Sequence, residues 1–205
     1  MTTAPARPTV RDSPEVAAEF RQRLLAGMAA AIRERGFQDS TVADVVRHAR
    51  TSRRTFYEHF AGKQACFIAL LREANAEMVR QIAARVDPRA PWEAQIRQAI
   101  EAWVECAQSD PALTLSWIRD VTALGEDARY LQRELLEAFI GLVQRLTDTA
   151  ELRAAGIRPA SRQYAVLLLG GLRELIATTV EDGGDIGDVT EVAVRATRSL
   201  LGPRE

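Results

Sequence analysis

Apolar positions recur at helical spacing throughout this chain, and no stretch sustains the two-residue alternation of a half-buried strand. Phe20, Leu24, Met28 and Ile32 are spaced by four, which predicts a first helix opening at Ser13-Pro14-Glu15 and closing at Gly36. Thr41 and Asp44 have the spacing of a capping box and lead into Val42, Val45, Val46 and Ala49, a second and shorter helix. The run from Ser52 to Phe60 divides into two faces at about 100° per residue. Phe56 and Phe60 fall on one side, while Arg53, Arg54, Tyr57 and Glu58 share the other. Ser52 is the expected N-cap, which places two arginines at the positive end of a helix dipole, where a cation gains nothing unless an anion approaches. Arg50-Thr51-Ser52 joins the two short helices with the connection length of a helix-turn-helix. After Ala61-Gly62-Lys63, a longer helix with Phe67, Leu70, Leu71, Met78 and Ile82 on its inner side runs to Asp87-Pro88.

The remainder also reads as helix and short turn. Trp92 opens a segment with Ile96, Ile100, Trp103, Val104 and Ala107, closed by Ser109-Asp110-Pro111. Further helices are expected over 112–124, breaking at Gly125, and over 126–150, with a loop at 156–159. The last two span 161–181 and 189–201. The fold class is therefore all-α, an N-terminal three-helix helix-turn-helix domain followed by a larger helical domain. The expected division is an arm over 1–12, a DNA-binding domain over 13–63 and a second domain over 64–205. Arg7 and Arg11 place two cations in the arm.

From Thr41 to Lys63 the residues resemble the DNA-binding signature of the tetracycline-repressor (TetR) family, and the match extends over roughly residues 20–71. Arg50 stands where that family usually has Gly, and Thr51 where it usually has Val. Arg50 must then accept a positive φ at some strain. The resemblance implies a DNA-binding transcription regulator rather than an enzyme, a repressor released from a palindromic operator by a small-molecule effector. Arg53, Arg54, Thr55 and Tyr57 are expected at base edges or nearby phosphates, and Thr41, Ser52, His59 and Lys63 complete the DNA-binding set. It also implies an effector pocket and a homodimer through the last two helices.

The segment 163–180 is apolar nearly all round, and a helix of that kind must be covered on every side. Gly170 and Gly171 each cost about 1 kcal/mol relative to Ala in a helix interior, which close approach of another helix offsets. Leu168, Gly171, Leu172 and Leu175, with Val192 and Ala196 of the following helix, are the expected dimer interface. Trp103, Trp117, Phe139 and Tyr164 lie on four helices and are the expected pocket wall, with Cys106, Arg119 or Gln163 as polar partners.

Composition narrows the alternatives. No run of 18 apolar residues and no apolar signal region appears, so a cytoplasmic protein without a membrane span is expected. Cys66 and Cys106 are expected as free thiols. The only histidines, His48 and His59, lie in the presumed DNA-binding unit, which excludes a histidine-rich metal site or histidine-based catalysis elsewhere, and no cofactor is expected. Net charge is −1 overall, but residues 1–64 carry +4 and the rest −5, so the basic end is the DNA end. A single +4 module binds weakly, which favours a dimer. A helical enzyme, or a ligand-independent DNA-binding protein with a filled C-terminal core, is the alternative.

Overall fold

A computed structural model describes residues 14–124 and 126–202. The arm over 1–12, the Ser13 cap and the Gly125 break lie outside the described residues. Helix α1 is Pro14–Asp39, and Gly36 at φ 75°, ψ 165° interrupts its helical backbone near the end. Next come α2 (Val42–His48), α3 (Arg53–His59) and α4 (Lys63–Arg85). The chain divides into two compact units at Leu70 and Leu71, inside α4.

In the first unit the predicted stripe is the core. Leu24, Met28, Val45, Phe56, Cys66 and Phe67 are wholly buried, and Phe37 stacks on Phe67 with ring centroids 4.1 Å apart. Phe20 and Val42, read as core, are only half-buried. Burying each large apolar side chain contributes about 1.5–3 kcal/mol, which is what lets helices of seven residues persist. α1 and α2 approach so closely at Gly27 that a Cβ there would lie 2.6 Å from the Val45 carbonyl oxygen, so only glycine fits. At the turn, Arg50 holds φ 49°, the one non-glycine residue with positive φ among the described residues. The strain expected from its identity is present.

The second unit contains the rest of α4 with α5 (Trp92–Ser109), α6 (Pro111–Arg119), α7 (Glu126–Thr147), α8 (Ala150–Ala154), α9 (Arg162–Glu181) and α10 (Thr190–Leu201). Its core gathers Ile100, Trp103, Phe139, Leu142, Leu172, Ile176 and Val194, and α9 packs against α6, α7 and α10. Two expectations need correction. Residues 121–124 form a 3₁₀ turn rather than the end of an α-helix. The helix expected to reach residue 150 stops at Thr147, because the Thr147 hydroxyl donates back to the Val143 carbonyl and accepts from the Ala160 amide. Thr149 then caps the single turn α8, whose Leu152 turns inward with Ile157. Every described element is helical, and none of the helices is long and apolar enough to cross a membrane.

Candidate functional site

Helix α3 is positioned by its cap and its buried face. Ser52 Oγ accepts the Thr55 amide at 3.1 Å and lies 3.0 Å from Thr55 Oγ1, while Phe56 and Phe60 hold the inner side in the core. The opposite side presents Ser52, Arg53, Arg54, Tyr57 and Glu58 to solvent, with Thr55 and His59 half-buried at its margins. Tyr57 is 59% exposed, an uncommon position for an aromatic ring. Arg54 Nε donates to Glu58 Oε1 at 3.0 Å, one turn along, so Glu58 aims the guanidinium that sequence placed on the reading face. No acidic residue occupies the first turn of α3. The two guanidiniums at the start of α3 therefore make one positive patch, suited to phosphate and to the acceptor edge of guanine.

Thr41 caps α2. Its hydroxyl accepts the Asp44 amide at 3.3 Å and donates to Asp44 Oδ2 at 2.6 Å, while its own amide donates to Oδ2 at 3.0 Å. These bonds to Thr41 hold the Asp44 carboxyl down at about 2. Arg47 and then His48, each bonded to Glu34, hold the Glu34 carboxyl below its ordinary range and tie α2 to α1.

Lys63 is placed differently from the rest of its set. Its ammonium donates to the carbonyls of Phe37 (2.8 Å), Gln38 (3.1 Å) and Ser40 (2.9 Å), and lies 4.4 Å from the Phe37 ring centroid. All three of its protons therefore serve the end of α1. Arg23 does the same for the turn, donating from Nε and Nη2 to the Ala49 carbonyl and from Nη2 to the Arg50 carbonyl. Sequence reasoning missed Arg23. Its acceptors are main-chain atoms 26 and 27 residues away, and no pattern of side chains announces such a pairing.

In the second unit three of the four expected aromatics come together. Trp103, Trp117 and Phe139 line one cavity of about 130 Å³, with Trp117 and Phe139 rings 6.0 Å apart. Arg173 also faces it, donating to the Ile118 carbonyl at 2.9 Å; burial lowers its pKa. A neighbouring cavity of about 100 Å³ shares Trp103 and Phe139 and is walled mostly by apolar side chains, Trp92 among them. Tyr164 is a correction, because it lines a separate groove beside Ser161 and Leu200, set there by its place in the first turn of α9. The expected polar partners also lie elsewhere. Gln163 is exposed, Cys106 lines another cavity, and Arg119 is paired with Glu174 and Glu181 on the surface.

Residues 24–70 match the family model of bacterial regulatory proteins of the tetR family, the span that holds the capped α2, the strained turn and the exposed face of α3. Its DNA-binding segment is of the tetR type. It is 24% identical over 165 residues to the HTH-type transcriptional repressor BepR of Brucella suis biovar 1, covering 76% of this chain and 79% of that one. A TetR-family transcriptional regulator from Pectobacterium atrosepticum is 25% identical, with a TM-score of 0.64 over 94% of this chain and 100% of its own. The regulator FadR from Bacillus subtilis, crystallised in complex with stearoyl-CoA, is 15% identical and shares the fold, with a TM-score of 0.75 over 90% of this chain and 99% of that chain. The protein is a helix-turn-helix DNA-binding transcription regulator.

The regulator's last two helices correct the expected interface residue by residue. Leu168 and Leu172 are buried in the core of their own subunit, and Leu175 packs against it. They lie on the inner side of α9, which packs against α6, α7 and α10. The outer side carries Leu167 (65% exposed), Gly170 and Gly171, where a Cβ at either glycine would meet no neighbouring atom. On α10, Val192 and Ala196 are exposed.

Proposed function

We propose that this regulator is a repressor, active as a homodimer on a palindromic operator and released by a small molecule that its second unit binds. The observation that carries the reading is the pairing of an open two-arginine face on α3 with apolar cavities walled by Trp103, Trp117 and Phe139. Arg53, Arg54, Thr55 and Tyr57 read bases and near phosphates; Thr41, Ser52 and His59 set the height of the helix over the backbone. Lys63 acts through the end of α1 rather than on phosphate. The dimer forms through the outer face of α9 and α10, where Leu167 and Val192 are uncovered in the single subunit. That a protein of this architecture, the Bacillus subtilis FadR, was crystallised with stearoyl-CoA supports a ligand-responsive reading. The protein acts by binding in the cytoplasm, not by catalysis, and needs no cofactor. Helix α4, whose residues belong to both units, carries the coupling.

Linkage fixes what such a switch does. A ligand favouring the non-binding state by about 1.4 kcal/mol weakens DNA binding at most about tenfold, and DNA weakens the ligand equally. The test is anisotropy of a selected duplex with purified protein, titrated with a library of apolar compounds and read together with tryptophan emission. A compound that changes both supports the proposal; DNA affinity untouched by every compound that enters the cavities overturns it.

A further inference from the structure

One buried polar atom of the second unit is left unsatisfied among the described residues. Asn75 on α4 is 7% exposed, and its carbonyl oxygen Oδ1 has no hydrogen-bond partner among the described residues. A buried amide oxygen without a donor is a standing cost to folding, and its retention calls for a group that arrives later. Asn75 lines a cavity of about 190 Å³ set between α4, α5 and α6. Met78, Leu113 and Trp117 form the apolar wall, and Glu77, Cys106 and Asp110 the polar one.

The charges around this cavity have one sign. Among the described residues, no lysine, arginine or histidine lines it, whereas two carboxylates do. Glu77 is paired with Arg80 and bonded to Gln81; Asp110 accepts the Leu113 amide as the cap of α6. The Cys106 thiol donates to Gln81 Oε1 at 3.0 Å and Gln81 Nε2 donates to Glu77 Oε1 at 2.7 Å, and neither reaches Asn75 Oδ1. The missing partner is a donor, and the surroundings disfavour an anion.

We propose that this cavity binds an organic ammonium with an apolar body, its N–H donated to Asn75 Oδ1 and its body laid against Trp117 and Met78. The cation gains from the Trp117 ring and from Asp110. The cavity shares Met78, Thr114 and Trp117 with the aromatic cavity described above, so a longer ligand extends from one into the other. As an account of regulation this rests on the effector reading; as a binding site it is independent of DNA.

The experiment titrates the full-length protein, without DNA, with four probes of similar size: phenethylammonium, phenethyl alcohol, ethylbenzene and 3-phenylpropionate. Affinity is read by tryptophan emission and calorimetry. The ammonium is expected to bind tightest, at least about tenfold above ethylbenzene, and the carboxylate not to saturate. Asn75→Leu keeps the volume and removes the oxygen; the ammonium preference is expected to shrink by about tenfold, with ethylbenzene unaffected and thermal stability no lower. Equal binding of carboxylate and ammonium by the parent protein, or an undiminished ammonium preference in Asn75→Leu, overturns the proposal. Asn75-dependent ammonium binding that leaves operator affinity unchanged upholds the site and overturns its role in regulation, leaving the effector reading to the aromatic cavities. An apolar compound that releases the operator while no ammonium binds does the reverse.

Discussion

Lys63→Met is the substitution that separates two accounts of one residue. Methionine keeps most of the stem that lies against Phe37 and deletes the ammonium. The wild-type ammonium makes three hydrogen bonds of 2.8, 3.1 and 2.9 Å to the carbonyls that follow the Gly36 break, where α1 has no residues left to satisfy them. A charge-assisted bond contributes about 1.5–3 kcal/mol net. These three share one ammonium that regains hydration on unfolding, and the site is only half-buried, so their contributions do not add in full. A total of about 2–3 kcal/mol remains, with roughly 0.5–1 kcal/mol more from the cation over the ring. The urea midpoint of the first unit should therefore fall, while the salt dependence of duplex binding keeps its slope. If Lys63 instead neutralised a phosphate, the slope would flatten by about one unit and the midpoint would stay in place. That second outcome refutes the assignment of Lys63 to the end of α1.

Three further outcomes are expected. Arg50→Gly should stabilise the protein by about 0.5–1 kcal/mol in denaturant melts, since the left-handed conformation costs a non-glycine residue about 1–2 kcal/mol and glycine returns part of that as unfolded-state freedom; a loss would show the Arg50 side chain to be needed. Leu167→Arg should convert a dimer to monomer in sedimentation at micromolar concentration, whereas a wild-type monomer that binds a full palindrome tightly would exclude this interface. Asp44 has its carboxyl held at about 2 in the folded state against 3.8 for the free group, so the unfolded chain binds more protons between those values. The stability from Asp44 is complete above about pH 4 and fades as pH falls toward about 2, and Asp44→Asn should remove that part of the acid transition in melts over pH 2–5.

What the sequence made legible was governed by local rules. The capping box at Thr41 and Asp44, the Ser52 cap and the two faces of α3 depend on neighbours three or four residues apart, and each is found as read. The strain at Arg50 followed from the family resemblance, which puts Gly at that position of the turn. Tertiary partners were not legible. Lys63 and Arg23 find acceptors on main chain more than twenty residues away, and a backbone carbonyl looks the same behind every side chain. Tyr164 was grouped with three tryptophan and phenylalanine rings because it is aromatic, yet the first turn of α9 places it in another groove. For α9, the choice between Leu167 and Leu168 as the outward residue depends on helix phase, which a nearly uniform apolar run does not encode. The orphaned oxygen of Asn75 is invisible in sequence for the same reason, being defined by what fails to reach it.

The central claim, that the exposed face of α3 reads a two-fold symmetric DNA sequence, is tested most directly by selecting duplexes from a random pool with the purified protein. Parent and Arg54→Ala are then compared on single-base variants of the winner. The account predicts a palindrome with half-sites one helical turn, or a multiple of it, apart. It predicts that Arg54→Ala loses about 1–3 kcal/mol on the parent sequence and relaxes preference at one base pair in each half-site. A pool that yields no preferred sequence, or an Arg54→Ala protein weakened equally on every variant, would contradict it.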